Sequence, residues 1–337
     1  MKYLLFLSKN YSYPILKPLH NTILKHPNDT VFWYSTLSER FGVNKKYWLN
    51  SNNAVVEYSP DAILVPGNIV PYRWPGLKVQ IFHGLGEEKS GHYRVNGLFD
   101  LYCTPGPFVT AKLRKIIKDY RFVIEETGWP KLDAIGDFGL KKKRFFNNKY
   151  FTILYAPTFS TKLTSAVELY ETIKKLQDLN YNWIIKFHEL MDLNIIKKYK
   201  KLENQNFKIV TQNDILPSMF ESDILLTDTS SVAYEYLLFD KPLITFKAKS
   251  RTEKGINIEL AEDLEGAIIR AKMNPGEYKE NRQYYLSELH PYLDCKSSVR
   301  VLNAVNKTIN NGYMSKKNTN LKYLYKRFKI RKYCLND

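Results

Sequence analysis

The stretch Asp223-Ile-Leu-Leu-Thr-Asp-Thr-Ser-Ser-Val-Ala-Tyr-Glu-Tyr-Leu-Leu-Phe-Asp-Lys-Pro-Leu-Ile-Thr-Phe246 decides the fold. Asp223 to Thr227 is an apolar run closed by polar residues and reads as a buried strand. Asp228, Thr229, Ser230 and Ser231 are residue types that start helices. Val232 to Phe239 reads as a mostly apolar, buried helix, Asp240-Lys241-Pro242 stops it, and Leu243 to Phe246 reads as the next strand. Strand, turn, helix and strand in that order imply a parallel sheet with right-handed crossovers. Ligands of such sheets bind at the carboxyl ends of the strands, where helices begin. N–H groups at this helix start, with the hydroxyls of Thr229, Ser230 and Ser231, make a site for phosphate oxygens. Glu235, about one turn further on, is within reach of a sugar hydroxyl beside that phosphate. An ordinary capped core helix accounts for the same residues equally well, so the rest of the chain has to decide.

A chain of 337 residues predicts two domains, because single cores stop growing near ~250–300 residues. An apolar fraction of 44% supplies a core for each. The net charge of +17 calls for an anionic partner: nucleic acid, an acidic membrane surface or phosphate-bearing substrates. The charge is spread along the chain and no RNA- or DNA-binding motif appears, so nucleic acid is not expected as a partner. Cys103, Cys295 and Cys334 form neither a metal pattern nor a disulfide framework, which favours a reducing cytoplasm. Tyr3 to Leu7 is too short for a signal-peptide core, and no run approaches the roughly 20 apolar residues of a membrane span. The expectation is a soluble protein, or one attached to a membrane only at its surface.

Lys2 to Ser8 reads as a first strand and Pro14 to Lys25 as a helix. Short apolar runs follow at Val31–Tyr34, Ala54–Tyr58, Ala62–Val65, Val79–Phe82 and Leu98–Cys103, then a basic helix at Phe108–Lys118 and a run at Arg121–Glu125. The alternation is that of an α/β domain. The charge run in Gly136–Lys149 reads as a solvated linker. A second α/β unit begins at Phe151–Tyr155, with a helical pattern at Ser165–Asn180, a strand at Trp183–Phe187, a basic helix at Leu193–Leu202 and a strand at Phe207–Val210. Asp263–Asn311 reads as helical throughout. The predicted division is therefore 1–140, a linker at 141–150, 151–314, and a tail at 315–337. That tail carries eight Lys or Arg against one Asp, with Leu321, Leu324, Tyr325 and Phe328 interleaved at roughly helical spacing. It is either a frayed terminus or a helix lying on an anionic membrane.

Two histidines follow strands. His83 comes after Val79–Phe82 and before Gly84-Leu85-Gly86, and His188 comes after Trp183–Phe187. Taken singly, each reads as a loop histidine; as a pair, one per domain, they point to chemistry. His20, His26, His92 and His290 lack this placement and read as surface or structural. Tyr155-Ala156-Pro157-Thr158 ends another strand and offers a hydroxyl and N–H groups, while Glu126–Asp133 reads as a hinge. The sequence holds no Gly-x-Gly-x-x-Gly, no Gly-Lys-Ser/Thr loop and no clustered His/Cys set, which favours metal-independent chemistry without a cofactor.

Gln80-Ile-Phe-His-Gly84, Thr127-Gly-Trp-Pro-Lys-Leu-Asp133, Ile153-Leu-Tyr-Ala-Pro-Thr158, Ile184-Ile-Lys-Phe-His188 and Thr227-Asp-Thr-Ser-Ser231 occur in this order. The series resembles the motifs of the CDP-glycerol glycerophosphotransferase family, which holds the teichoic-acid primases and polymerases and their capsule relatives. A weaker echo stands at Asp294-Cys295-Lys296-Ser297-Ser298. The resemblance implies an α/β, glycosyltransferase-B-like architecture: two Rossmann-type domains with an interdomain cleft, an acceptor-side N-terminal one and a nucleotide-donor-binding C-terminal one. It also implies transfer of an alditol phosphate from a CDP-linked donor to a hydroxyl, with release of CMP. His83 and His188 would be the essential pair. Thr158, Lys186, Thr229, Ser230 and Ser231 would hold the donor phosphates, and Glu235 the ribose. An imidazole suits removal of the acceptor proton, a task worth about 10²- to 10⁴-fold, and His83 is assigned as that base. Phosphoryl charge needs fixed donors, assigned to His188, Lys186 and the Thr229–Ser231 turn. Ser160, Glu189 and Leu85-Gly86-Glu87 depart from the family's usual residues, which leaves glycerol, ribitol and a sugar open as the group transferred.

The expected partners are a nucleotide-activated alditol donor, a glycan or lipid-linked acceptor, and an anionic membrane surface met by the basic tail. The expected location is the cytoplasmic face of the cell membrane. A glycosyltransferase of the same fold using a nucleotide sugar is the first alternative, and a non-enzymatic nucleic-acid binder the remote one.

Overall fold

Short runs of three to six residues, most of them apolar and buried on both faces, become the strands of two parallel sheets. The computed structural model describes residues 1–85, 95, 97–116, 122–138, 144–212 and 214–312. The chain divides into one unit made of Met1–Asp137 with the residues from Glu288 onward, and a second made of Phe138–Ser287.

In the first unit β1 (Lys2–Leu7), β2 (Thr30–Ser35), β3 (Ala62–Val65), β4 (Leu77–Gln80), β5 (Leu101–Thr104) and β6 (Val123–Glu126) form a sheet in the order β2-β1-β3-β4-β5-β6. Every pairing is parallel, with Leu4 opposite both Phe32 and Ile63. In the second unit β7 (Phe151–Tyr155), β8 (Tyr181–Ile185), β9 (Phe207–Ile209), β10 (Ile224–Thr227), β11 (Leu243–Phe246) and β12 (Ile256–Ile258) run in the order β12-β11-β10-β7-β8-β9. Counted from its own first strand this is 3-2-1-4-5-6, the doubly wound dinucleotide-binding order, with its switch point between β7 and β10. Leu225 stands opposite Leu154 on one side and Leu243 on the other.

Each unit has its own core. Leu4, Ile63, Val65, Phe99 and Tyr102 anchor the first, and Ile153, Trp183, Ile185, Leu226 and Ile244 the second. All are nearly inaccessible, so each aliphatic side chain contributes about 1.5–3 kcal/mol through burial. The helix Tyr13–Ile23 takes Pro14 in its first turn, where no N–H is needed. The helix Asn52–Tyr58 is capped by Ser51, whose hydroxyl accepts from the Ala54 N–H at 3.0 Å. Cys103 is a buried thiol and Cys295 an exposed one, and both are unpaired. Among the described residues no helix is long and apolar enough to cross a membrane.

Several expectations are corrected. Ala54–Tyr58 is helix rather than an extended run, because the Ser51 cap starts a helix in which only Val55 is buried. The pattern at Ser165–Asn180 yields a shorter helix, Tyr170–Leu176. The helical terminal third is three helices, Leu264–Met273, Lys279–Leu289 and Ser297–Asn310. The second unit ends at Ser287, not at 314. The helix Ser297–Asn310 returns to the first unit because Val301, Leu302 and Val305 bury one face there, and because its opening N–H groups meet a carboxylate of that unit. The Ser297 and Ser298 N–H groups donate to Asp133 Oδ1 and Oδ2 at 2.9 and 2.6 Å. A carboxylate at this end also complements the helix dipole. The linker residues 139–143, His92 and the tail from Ser315 lie outside the described residues.

Candidate active site

In the second unit β10, β7 and β8 are neighbours, so their carboxyl ends stand side by side. β7 leads into Ala156-Pro157-Thr158, β8 into Lys186-Phe187-His188, and β10 into Asp228-Thr229-Ser230-Ser231. The fold therefore gathers Thr158, Lys186, His188 and Thr229–Ser231 at the switch point of the sheet. Backbone bonds extend the pairing past the strands: Ala156 N–H donates to Leu226 O at 3.0 Å and Lys186 N–H to Tyr155 O at 2.9 Å. The Thr227 hydroxyl ties the two loops together by donating to Ala156 O at 2.6 Å.

Asp228 does not face the helix that follows it. Its buried carboxylate turns into the β7 loop, where Oδ1 accepts from Thr158 N–H at 2.8 Å and Oδ2 accepts from Ser165 N–H at 2.9 Å and the Ser165 hydroxyl at 2.8 Å. Burial pushes its carboxyl above the usual range even against three donors. Asp228 thus fixes the loop that carries Thr158, a role that local reading of helix-start residues did not show. The helix itself is short, Val232–Tyr236, and continues as a 3₁₀ turn at Leu237–Phe239. Ser231 makes no capping bond, and Ser230 Oγ accepts weakly from Val232 N–H at 3.4 Å. Thr229, Ser230 and Ser231 are half-buried, while Glu235 is buried in the helix.

His188 is exposed, its ring centroid 4.3 Å from that of Phe159. The Leu190 N–H donates to its Nδ1 at 3.1 Å. A nitrogen that accepts carries no proton, so the neutral ring presents Nε2–H as a donor. Lys186 curls back, its Nζ donating to Phe187 O at 3.1 Å.

His83 in the first unit has the opposite form. Its Nδ1 stands 3.2 Å from Pro66 O, which can only accept, so Nδ1 carries the proton and Nε2 is the basic nitrogen. Tyr11 stacks on the imidazole with centroids 5.2 Å apart. The residue before it, Phe82, is buried at φ +55°, and its carbonyl accepts from the Trp129 indole Nε1–H at 3.2 Å. Trp129 is held in turn: its backbone N–H donates to His290 Nε2 at 3.0 Å. Burial keeps His290 neutral, with its pKa lowered to about 4. Gly128, at φ +80°, has no room for a side chain, since a Cβ would meet Ser297 Oγ at 2.4 Å. The segment read as a hinge, Glu126–Asp133, is thus a fixed brace for the backbone entering His83.

Residues 107–307 match the model of the CDP-glycerol:poly(glycerophosphate) glycerophosphotransferase family. The chain belongs to this family. It is 32% identical over 98 residues to the teichoic acid glycerol-phosphate primase of Bacillus subtilis (strain 168). That alignment takes in 28% of this chain and only 25% of the primase. Among solved structures the wall teichoic acid polymerase TagF matches with TM-score 0.66 at 17% identity, over 92% of this chain and 89% of that one. An S. aureus MnaA–UDP co-structure matches with TM-score 0.68 at 15% identity, over 92% and 97%. These likenesses show the fold: two Rossmann-type α/β units of glycosyltransferase-B type. The family match includes the Thr127–Asp133 brace, His188 and the Thr227–Ser231 turn, whereas His83 precedes it.

Proposed function

We propose that the chain is a transferase that moves an alditol phosphate, glycerol phosphate in the first place, from a CDP-linked donor to a hydroxyl of a glycan or lipid-linked acceptor, in synthesis of a teichoic-acid-like or capsule polymer. The acceptor oxygen bonds to the alditol-bearing phosphorus, the bond to the bridging oxygen breaks, and CMP leaves with that electron pair. Nε2 of His83 takes the acceptor proton. Nε2–H of His188, with Lys186, Thr158 and the Thr229–Ser231 turn, meets the charge that gathers on the phosphoryl and bridging oxygens. Glu235 takes the ribose. The observation that carries this reading is the opposite tautomer of the two histidines, one set as acceptor and one as donor, within a chain of this family.

The test is a nucleotide-release screen with CDP-glycerol, CDP-ribitol and UDP- and GDP-sugars. CMP release is expected from a CDP-alditol, because attack at phosphorus expels CMP. Release of UDP or GDP alone, the mark of attack at a sugar carbon, would establish the glycosyltransferase alternative instead. His83→Ala and His188→Ala should each lower turnover by about 10²-fold or more while the fold is retained. We further propose that transfer needs no resident metal or cofactor, so that EDTA leaves CMP release intact. The basic tail from Ser315 is proposed to hold the enzyme at the cytoplasmic face of an anionic membrane, and its removal should weaken vesicle binding without stopping transfer to a soluble acceptor.

A further inference from the structure

His188 stands in a loop whose backbone is anchored on both sides. Phe187 and Met191 are buried in the second core, while His188, Glu189 and Leu190 between them are exposed. The Met191 N–H closes a turn on His188 O at 2.9 Å. An exposed imidazole on such a fixed backbone still has its staggered χ1 wells and a broad χ2. The Leu190 N–H on Nδ1 removes part of that freedom, because it fixes where one edge of the ring lies. The ring can still pivot about the axis of that bond, and the pivot swings Nε2–H through an arc.

One contact closes the pivot. The Phe159 ring lies against the imidazole, with centroids 4.3 Å apart and planes inclined by 31°. A hydrogen bond restrains the imidazole along its edge and a flat neighbour restrains it along its normal, so the two together leave one orientation. Phe159 is itself held. It is half-buried and packs on the second core. Just before it, the Thr158 N–H is bound by Asp228 Oδ1. Just after it, Ser160 O accepts from the Leu163 and Thr164 N–H groups at 2.9 and 2.8 Å. Asp228 opens the turn after β10, Phe159 lies in the loop after β7, and His188 in the loop after β8. The ring contact is therefore the link that carries the rigidity of the first two strand ends to the third.

We propose that Phe159 is the positioning residue of His188, holding its Nε2–H in a single direction at the switch point. That this N–H serves phosphoryl transfer rests on the transferase reading above; the placement of the ring does not.

The test uses the full chain. Phe159→Leu keeps an apolar side chain on the core and deletes the flat face. Phe159→Met does the same should the leucine variant not fold, and Phe159→Tyr retains the face. Ring order is read first, from carbon-13 relaxation at Cε1 of histidine-labelled protein, with the His188 signal identified by its loss in His188→Gln. Its order parameter should stand near the rigid-backbone value of about 0.85 in the wild type and in Phe159→Tyr, and fall below about 0.6 in Phe159→Leu. Equal order in the wild type and Phe159→Leu would overturn the proposal. Turnover is read second, as CMP release from a CDP-alditol. Phe159→Leu should lower kcat about 10- to 100-fold, the scale of a ~1 Å misplacement, with donor KM within about threefold. Phe159→Tyr should restore kcat to within about threefold of the wild type, since the face is present again. In a His188→Ala background Phe159→Leu should lower kcat by less than about twofold further, because a residue acting only through the imidazole has nothing left to position. Full multiplication of the two losses would make Phe159 a packing residue and overturn the proposal. No CMP release by the wild type, with ring order still lost in Phe159→Leu, would sink the transferase reading alone and leave the placement standing.

Discussion

Replacing Trp129 by Phe tests the brace behind His83. The indole is nearly inaccessible and its Nε1–H is bonded to Phe82 O. Phenylalanine keeps the six-membered ring and deletes the donor. The lost bond and the orphaned, buried Phe82 carbonyl together amount to about 1–3 kcal/mol, and the space left by the missing ring atoms to about 1 kcal/mol more. Against this stands the strain of Phe82, whose φ of +55° belongs to the left-handed region. That conformation costs about 1–3 kcal/mol, which the loop regains if it relaxes once released. The two terms oppose each other in stability but not in catalysis, because relaxation moves the backbone of His83. The prediction is a modest loss of stability, about 1–3 kcal/mol in urea followed by far-UV circular dichroism. It is accompanied by a fall in kcat of about 10- to 100-fold, the scale set by a misplacement of ~1 Å. The donor KM, which the proposed function assigns to residues of the second unit, should stay within about twofold. Wild-type kcat in a folded Trp129→Phe protein would refute the brace, and a change confined to donor KM would place the indole's influence elsewhere.

Asp228→Ala leaves two backbone N–H groups, those of Thr158 and Ser165, without their carboxylate in a buried loop. The expected loss is about 3–5 kcal/mol in denaturant unfolding, a large part of a typical protein's total. Asp228→Asn offers one acceptor oxygen where both carboxylate oxygens are used, and should cost about 1–3 kcal/mol; equal stability of all three proteins would exclude the clamp. Burial lowers the pKa of both His20 and His290 from 6.5 to about 4, and each neutral ring accepts a hydrogen bond, from Trp33 Nε1–H and Trp129 N–H respectively. The unfolded chain therefore binds more protons between those values, so stability is full above pH 6.5 and falls toward pH 4, by up to about 3 kcal/mol per histidine. His290→Gln, which keeps an acceptor without a titrating group, should flatten part of that slope in urea midpoints taken from pH 7 to pH 4.5; an unaltered slope would remove His290 from the account. Gly128→Ala should cost more than the ~1 kcal/mol of an ordinary glycine substitution, since it combines a φ of +80° with a Cβ 2.4 Å from Ser297 Oγ.

Where the candidate site residues lie was largely legible because strand ends are local features. An apolar run such as Ile224–Thr227 declares a buried strand, and polar residues after it mark the strand's carboxyl end, so His83, His188, Thr158 and Thr229–Ser231 could be picked out without knowing their neighbours. What escaped were contacts between residues far apart in the chain. Asp228 resembles a helix cap by position, and only the approach of the β7 loop turns its carboxylate to Thr158 and Ser165. Glu126–Asp133 looks like a hinge until His290 and Ser297–Ser298 close on it. The periodicity of Ser297–Asn310 shows a helix with one apolar face but not which unit covers it.

By itself, the order of residues determined most of the element types, the parallel α/β class and the polar groups that stand at strand ends, because each depends on neighbours within a turn or a strand. Tertiary structure alone decided which strands lie side by side, where each sheet reverses, and which tautomer His83 takes. Those outcomes follow from pairings across tens to hundreds of residues, and no local pattern records them.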